Sequence, residues 1–411
     1  MNAPIPLEDA LAHVAAHAPA FAQETVALEQ ARDRILAAPV VAATTRPDAA
    51  LSAMDGYAVR CTDVDVAGRT LEVIGEVPAG RPFDGSLGPG QAVRIFTGGV
   101  LPDGADHVVM QEEAERDGSE VRFAQAYRTP RFVRPKGLDF ERGDRLLDSG
   151  RRLGPGERVL LAAANVDQVT VRRPLRVGIV TGGDELVPVG TPLRRGQSVD
   201  ANSFGLAGMI QDLGGVPVAI PMTRDDAKSI ENALAHGSSL QGSSPQRPVT
   251  DILLVVGGAS IGDRDLMRPK AFALGYVPIF ERVAVRPGKP SWLAVHPDAS
   301  RPPILGLPGN PASAMVCARL FLSVLMARPW QDSVTAGRLD EPLPANGPRT
   351  AFLRARRHVD NDAVVRLTAE ARQDSSLVTP LAWADTLIWR EANAPAAAAG
   401  TRVDILPFSA R

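Results

Sequence analysis

Several glycine turns in this chain are flanked by carboxylates or by cations, and these are where its residue types could do chemistry. Thr181-Gly182-Gly183-Asp184-Glu185-Leu186 follows a β-prone run and sets two adjacent carboxylates beyond a glycine turn. Such oxygen donors suit hydrated magnesium, which takes one or two protein carboxylates and bridges to a substrate phosphate. Thr223-Arg224-Asp225-Asp226 offers a second acidic pair, although Asp225 could equally cap the next helix. The stretch Gly257-Gly258-Ala259-Ser260-Ile261-Gly262-Asp263-Arg264-Asp265 puts backbone N–H donors and a hydroxyl beside carboxylates, a pairing that handles a phosphate together with its metal. Arg286-Pro287-Gly288-Lys289-Pro290 holds two cations on a stiff turn suited to a dianion. Leu307-Pro308-Gly309-Asn310-Pro311 ends a strand and opens a helix, whose N-terminus favours an anion.

Three further motifs lie in the first half of the chain. Ser52-Ala53-Met54-Asp55-Gly56-Tyr57-Ala58 contains an Asp-Gly pair that is either a turn or a carboxylate held towards a ligand. Arg94-Ile95-Phe96-Thr97-Gly98-Gly99 ends a strand in a turn that can nest an anion. Arg131 to Asp139 interleaves cations with a carboxylate, reading either as a solvated loop or as a phosphate site.

Bulk properties exclude other classes of function. The net charge of -2 provides no field for nucleic acid or an anionic membrane, and 5% aromatic residues leave little for base stacking. Two distant cysteines, Cys61 and Cys317, make neither a disulfide framework nor a zinc site. The six histidines form no metal-binding cluster. The N-terminus lacks a basic leader and no run reaches membrane-span length, so a cytoplasmic protein is expected.

A length of 411 residues predicts two to four domains. Helices are predicted over 6–18 and 27–38, then a lobe of short strands over 40–142 divided by Gly, Pro and Asp turns. A helix over 158–164 and a strand over 169–171 follow. From Leu175 strands and helices alternate at βαβ spacing, predicting a parallel sheet with helices on both faces and ligand-binding turns at its strand ends. Its strands are 175–180, 216–220, 251–256 and 304–307, with further strand structure over 276–285. Its helices are 202–213, 225–236, 266–274 and 312–327. Residues 237–248 read as a surface loop and 329–348 as a Pro-rich linker. Strands at 351–355, 363–367, 386–390 and 402–406 suggest a small C-terminal β-domain.

Taken in order, SAMDGYA, RIFTGG with GADHVVMQEE, TGGDEL, GGASIGDRD, RPGKP and LPGNPAS resemble the molybdopterin molybdenumtransferase family, related to the E domain of gephyrin. The resemblance runs from about Pro6 to the C-terminus. It implies a multi-domain α/β homodimer, with a doubly wound molybdopterin-binding-like domain over 4–17 and 175–327 and a β-rich lobe over 42–142. A small helical/β connecting and dimerisation domain over 18–41 and 143–174, and a C-terminal β-barrel-like domain over 328–411, complete it. The active cleft would lie between the doubly wound domain of one subunit and the β-rich lobe of the other. The implied reaction joins adenylylated molybdopterin and molybdate into molybdenum cofactor, releasing AMP, with Mg²⁺. Molybdopterin adenylyltransferase and molybdoenzyme maturation factors would be partners.

Carried over by position, Asp55, Thr97 and Asp139 match cleft residues of the lobe. Glu185, Asp225 and Asp265 match acidic residues around the nucleotide and Mg²⁺, with Ser260 among the substrate contacts. Arg282, Arg286 and Lys289 match cations around the oxyanion, and Pro308 and Pro311 the adjoining loop. Arg354 and Ser375 match a molybdate-contact pair. The sequence departs from the family pattern in four places. Arg286 and Arg282 stand where Lys is common, Thr181-Gly182-Gly183 replaces Ser-Thr-Gly, and Gln373-Asp374-Ser375 replaces Gln-Gly-Ser, adding a charge. Two alternatives stand beside this reading. Adenylyl transfer to molybdopterin is opposed by the lobe and the C-terminal domain, and a non-enzymatic dimeric scaffold by the intact acidic and basic motifs.

Overall fold

A computed structural model describes residues 3–78, 80–238, 250–257 and 266–408. The chain divides into two compact units, Ala22–Arg172 and Met1–Phe21 with Arg173–Arg411.

The first unit contains a six-stranded sheet in the order His107–Met110, Gly56–Val59, Gln91–Ile95, Thr70–Val77, Glu120–Phe123, Ala114–Asp117. Side chains alternate across a strand. Tyr57 and Val59 therefore join Leu71, Val109 and Phe123 on one face, while Ala58 joins Val77, Val93 and Val108 on the other. Both faces are covered, so Gly56–Val59 is buried throughout. Beside this sheet, Gln23–Ala27 pairs antiparallel with Gln168–Arg172. Helix Pro155–Ala163 begins with proline in its first turn, and Glu157 reaches back to the Gly154 N–H at 3.1 Å.

The helix expected over 27–38 is absent. Strand Gln23–Ala27 runs into a single 3₁₀ turn, Leu28–Ala31, and Asp33 then takes a left-handed φ of 61°. Backbone bridges from Ile35 to Arg152 and from Leu36 to Val171 override a strong helical preference of the Ala, Leu, Glu, Gln and Arg residues here.

The second unit is built on a sheet in the order Val216–Ala219, Arg176–Thr181, Ile252–Val256, Ile304–Leu307, Trp292–Val295, Val277–Phe280. The first four strands are parallel, as βαβ spacing requires. The sheet is not wholly parallel: Trp292–Val295 runs against both its neighbours, an antiparallel strand that periodicity did not reveal. Gly306 admits the Trp292 indole, because a Cβ there would stand 1.9 Å from its Nε1. Helices Leu7–Ala16 and Asn202–Asp212 cover one face, with the helical run from Pro311 to Leu325. That run widens into a π turn over Ala318–Leu322. Ala227–Ser238 and Met267–Ala273 cover the other face. Central strands buried on both sides read as continuous Val/Ile/Leu runs for this reason.

In the same unit five strands close into a barrel. Thr350–Val359 pairs with both Val365–Ala369 and Thr386–Arg390, and Thr335–Leu339 with Arg402–Pro407 completes the ring. Part of the segment expected to be a linker is therefore structured, forming the 3₁₀ turn Trp330–Ser333 and the strand Thr335–Leu339. Its Thr, Gly and Arg residues hid an alternation in which Gly337 and Leu339 face inward. Trp330 packs edge-on against Phe352 and Trp389 at 5.6 and 5.2 Å, and buried Arg319 donates Nε–H to the Pro407 carbonyl at 3.2 Å, joining helix to barrel. No helix among the described residues is long and apolar enough to cross a membrane.

His107 gives the first unit a pH dependence. Its Nδ1 accepts the Arg131 N–H at 2.8 Å, which puts the ring proton on Nε2, a buried atom without a partner. Burial holds the imidazole below its ordinary 6.5, with Arg131 adding to the effect and Asp106 opposing it. Below that pH the unfolded chain binds a proton that the native ring resists, so stability falls as pH falls. Urea midpoints should drop between pH 7 and 5.5, and drop less in His107→Gln, which keeps an acceptor for Arg131. An equal drop in both proteins would refute the assignment.

Candidate functional site

In the second unit the site builds outward from the carboxyl ends of the parallel strands. Strand Arg176–Thr181 ends at Gly182, where a Cβ would stand 2.0 Å from Thr223 Oγ1. Only glycine lets the two loops meet. They are then stitched by Thr223 N–H to Thr181 O at 2.9 Å, and by Asp225 N–H to Asp184 Oδ1 at 3.2 Å. Asp184, Glu185 and Asp225 are all exposed on these loops, with the Glu185 carboxylate lying over the Gly183 Cα. The neighbouring Asp226, not Asp225, caps the following helix, its Oδ1 accepting the Ser229 N–H at 2.8 Å.

The next strand end lies alongside. A Cβ on Gly257 would stand 3.1 Å from the Gly182 carbonyl oxygen, and one on Gly309 would stand 3.6 Å from the Gly257 Cα. Asn202, at the start of its helix, donates Nδ2–H to Gly309 O at 2.8 Å. Asn310 then donates to Ser375 Oγ at 2.9 Å, and the Ala312 N–H bonds the Ser375 carbonyl at 3.0 Å. This corrects one expectation, because a helix donor thought open to an anion is taken by the barrel loop.

Arg286 and Lys289 are exposed on either side of Pro287 and buried Gly288. The turn is closed by Val283 N–H to Lys289 O at 3.0 Å, and strand Val285–Arg286 pairs with Thr350 and Ala351. Arg282, nearby, accepts the Ile5 N–H through its carbonyl at 3.1 Å. Gly288 has φ 116°, and a Cβ there would stand 2.0 Å from Cys317 Sγ. Cys317 is fully buried and its thiol is pushed up to about 12 by burial, so it is a packing residue. Pro308 is buried and Pro311 opens the helical run.

Arg354 is only 2% exposed. Its Nη1 donates to Leu377 O at 3.1 Å and its Nη2 to Asp374 O at 2.9 Å and Arg372 O at 3.2 Å. It shapes the loop that carries Ser375 instead of offering its guanidinium to solvent. The added carboxylate of Asp374 folds onto the Ser376 N–H at 2.9 Å, and the two Ser376 hydrogen bonds hold it below the usual carboxylate range.

In the first unit Asp55 and Thr97 meet. Asp55 Oδ1 accepts both the Thr97 N–H and its hydroxyl at 2.7 Å, which lowers the carboxyl's pKa; Arg94 adds a smaller effect. Gly56 is required because a Cβ would stand 1.9 Å from Val109 O, and Gly98 takes φ 80°. Arg94 itself is committed, donating to Gly56 O at 2.8 Å beneath the Tyr57 and Phe96 rings. Asp139 lies on a separate loop, 3.6 Å from Arg46 Nε, and is exposed.

Ser260 and Asp265 lie outside the described residues, as does most of the glycine-rich motif that contains them. Among the described residues no three His, Cys, Asp or Glu side chains gather to hold a metal. Two positioning residues escaped the sequence reading. Asp200 accepts the Thr181 hydroxyl at 2.8 Å and the Ser203 N–H at 3.2 Å, and Asn202 holds Gly309. The available signal was Asp200-Ala201-Asn202-Ser203 ahead of an apolar helix, an N-capping pattern. The buried Thr181 hydroxyl is thus used within the fold.

A doubly wound sheet with carboxylates and cations on its strand-end loops, a closed barrel and a β-rich lobe define a multidomain α/β protein with a polar strand-end site. Residues 178–328 match the probable molybdopterin binding domain, residues 5–165 the MoeA N-terminal region (domain I and II), and residues 336–408 the MoeA C-terminal region (domain IV). The chain belongs to the MoeA family. It is 36% identical to a molybdopterin molybdenumtransferase of Nostoc sp., covering 80% of this chain and 76% of that protein. It is 32% identical to the Bacillus subtilis protein of that name, covering 94% and 90%. A crystal structure of the molybdopterin biosynthesis MoeA protein of Pyrococcus horikoshii superposes with a TM-score of 0.82 at 28% identity, covering 99% of both chains.

Gly288→Ala should lower stability by about 2 kcal/mol or more through overpacking against Cys317 and a disfavoured φ. Cys317→Ala in the same background should recover part of that loss. Thermal melts of the two variants test this, and a neutral Gly288→Ala would show that the turn yields freely.

Proposed function

We propose that this protein, a transferase of the MoeA family, inserts molybdenum from molybdate into adenylylated molybdopterin, forming molybdenum cofactor and releasing AMP with the help of Mg²⁺. The observation that carries this reading is the continuous run of contacts from the acidic loops through Gly182, Gly257, Gly309 and Asn310 to Ser375. It ties the carboxylate-bearing loops to the Ser375 loop through close main-chain contacts, which supports their acting on one substrate.

Glu185 and Asp225, exposed oxygen donors on two loops tied together, would with Asp265 hold a magnesium ion that keeps most of its waters. When bound there, the ion would neutralise charge on the leaving phosphate. Arg286 and Lys289 attract molybdate by charge, and the turn between them keeps their spacing from depending on side-chain order alone. Pro308 and Pro311 stiffen the adjoining loop, while Arg354 acts as a positioning residue for Ser375. A molybdate oxygen or a water cleaves the phosphoanhydride that joins AMP to the pterin. Asp265 and Ser260 belong to the same reading, as do Asp55, Thr97 and Asp139 on the lobe and Arg282 beside the cationic turn. The protein works as a homodimer in the cytoplasm, fed by molybdopterin adenylyltransferase and serving molybdoenzyme maturation factors.

AMP and cofactor formation should be measured from adenylylated pterin, with and without molybdate and Mg²⁺. Wild-type protein should need both ions. Glu185→Gln and Asp225→Asn should each cut AMP release by about a hundredfold, the scale of losing one fixed electrostatic contact. Lys289→Gln should raise the molybdate requirement by about tenfold or more. AMP release indifferent to both ions would end the proposal. Sedimentation equilibrium should give twice the chain mass; a monomer would remove the dimer from it.

A further inference from the structure

Thr181 closes strand Arg176–Thr181 and is buried, yet it is tied to both acidic loops. On one side its carbonyl accepts the Thr223 N–H at 2.9 Å and the Thr223 hydroxyl at 3.3 Å, just ahead of Asp225. On the other side its hydroxyl donates to Asp200 Oδ2 at 2.8 Å. Asp200 is itself anchored, because its Oδ1 accepts the Ser203 N–H at 3.2 Å and its own N–H donates to the Val187 carbonyl at 3.1 Å. The Ser198 N–H bonds the Glu185 carbonyl at 2.8 Å, and Leu186 and Val187 pair in parallel with Ser198 and Val199. The segment 198–200 therefore grips the acidic turn from both ends, before Gly182 and after Asp184. The Thr181 carbonyl fixes the loop of Asp225 and its hydroxyl fixes the loop of Glu185, so one side chain and its own main chain relate the two carboxylates.

We propose that the hydrogen bond between Thr181 and Asp200 sets the span between Glu185 and Asp225, and that this span makes the site select Mg²⁺ over Ca²⁺. The inference rests on the metal role given to those carboxylates above, and it names what determines the choice of ion. Thr181 and Asp200 are positioning residues that act through the two carboxylates. Mg²⁺ demands short bonds in near-ideal octahedral geometry, whereas Ca²⁺ accepts longer and irregular ones. Donors on separate loops suit the smaller ion only while their separation is closely held. A loosened pin therefore costs Mg²⁺ more than Ca²⁺.

Mn²⁺ bound to the full-length protein, counted by electron paramagnetic resonance and displaced in turn by Mg²⁺ or Ca²⁺, tests the assignment. The wild type should need more Ca²⁺ than Mg²⁺ to release it, and Glu185→Gln should lose the bound ion. Thr181→Val keeps the side-chain shape without the hydroxyl. It should lower the ratio of Ca²⁺ to Mg²⁺ required by about tenfold, the scale of one lost hydrogen bond. Asp200→Asn, left with one acceptor oxygen for two donors, should lower the ratio too. Thr181→Ser, which restores the hydroxyl, should keep the wild-type ratio and guards against a folding artefact. An unchanged ratio in Thr181→Val, an equal fall in Thr181→Ser, or a wild type without preference for Mg²⁺ would overturn the inference. If the ratio moves as stated while wild-type protein releases no AMP, the positioning contact stands and the proposed reaction fails. If AMP release needs Mg²⁺ and the ratio does not move, the reaction stands and the contact fails.

Discussion

The structure depends on backbones approaching more closely than any side chain allows. At the carboxyl ends of the parallel strands, Gly182 abuts Thr223, Gly257 sits by the Gly182 carbonyl, and Gly309 lies over Gly257. A methyl group at Gly182 would overlap Thr223 outright. With glycine there, separate crossover loops fuse into one surface, and the carboxylates on them are held by main chain. The lobe repeats the device, since Gly56 fits against the Val109 carbonyl and thereby sets Asp55 within reach of Thr97.

Around these contacts the charged side chains divide by their hydrogen-bond partners. Arg354, Arg94, Asp200 and Asp226 are engaged with carbonyls, hydroxyls or helix N–H groups and serve the scaffold. Glu185, Asp225, Arg286 and Lys289 are exposed on loops held by main-chain hydrogen bonds such as Ser198 N–H to Glu185 O and Val283 N–H to Lys289 O. A loop whose own amides are paired can leave its charges to a ligand without losing shape. Asp374 shows the same economy: turned onto Ser376, its carboxylate closes a local turn beside Ser375.

Much of the doubly wound domain was legible because strands such as Ile252–Val256, buried on both faces, write an apolar run that little else explains. The antiparallel strand Trp292–Val295 and the barrel strand Thr335–Leu339 were not. The first is short and follows a proline, and the second draws on Thr, Gly and Arg whose roles appear only when Arg402–Pro407 pairs with it. The helix expected over 27–38 failed for the complementary reason: local preference was strong, but bridges from Ile35 and Leu36 to residues more than a hundred positions away decided the matter.

Taken alone, the sequence determined which motifs exist, their order, and the family they resemble, because glycine, proline and charge at set spacings leave few other uses. It also determined the βαβ alternation, since hydrophobic period follows from which faces are covered. Tertiary structure decided which members of each motif are free to act. Asp225 and Asp226 are identical in type and adjacent, yet one caps a helix and the other faces solvent. Arg354 and Arg286 carry the same guanidinium, yet one is buried among carbonyls and the other exposed. The first difference is set by where the helix begins, at Ala227, and the second by carbonyls of residues 372–377 that the barrel folds back onto Arg354, and residue type encodes neither.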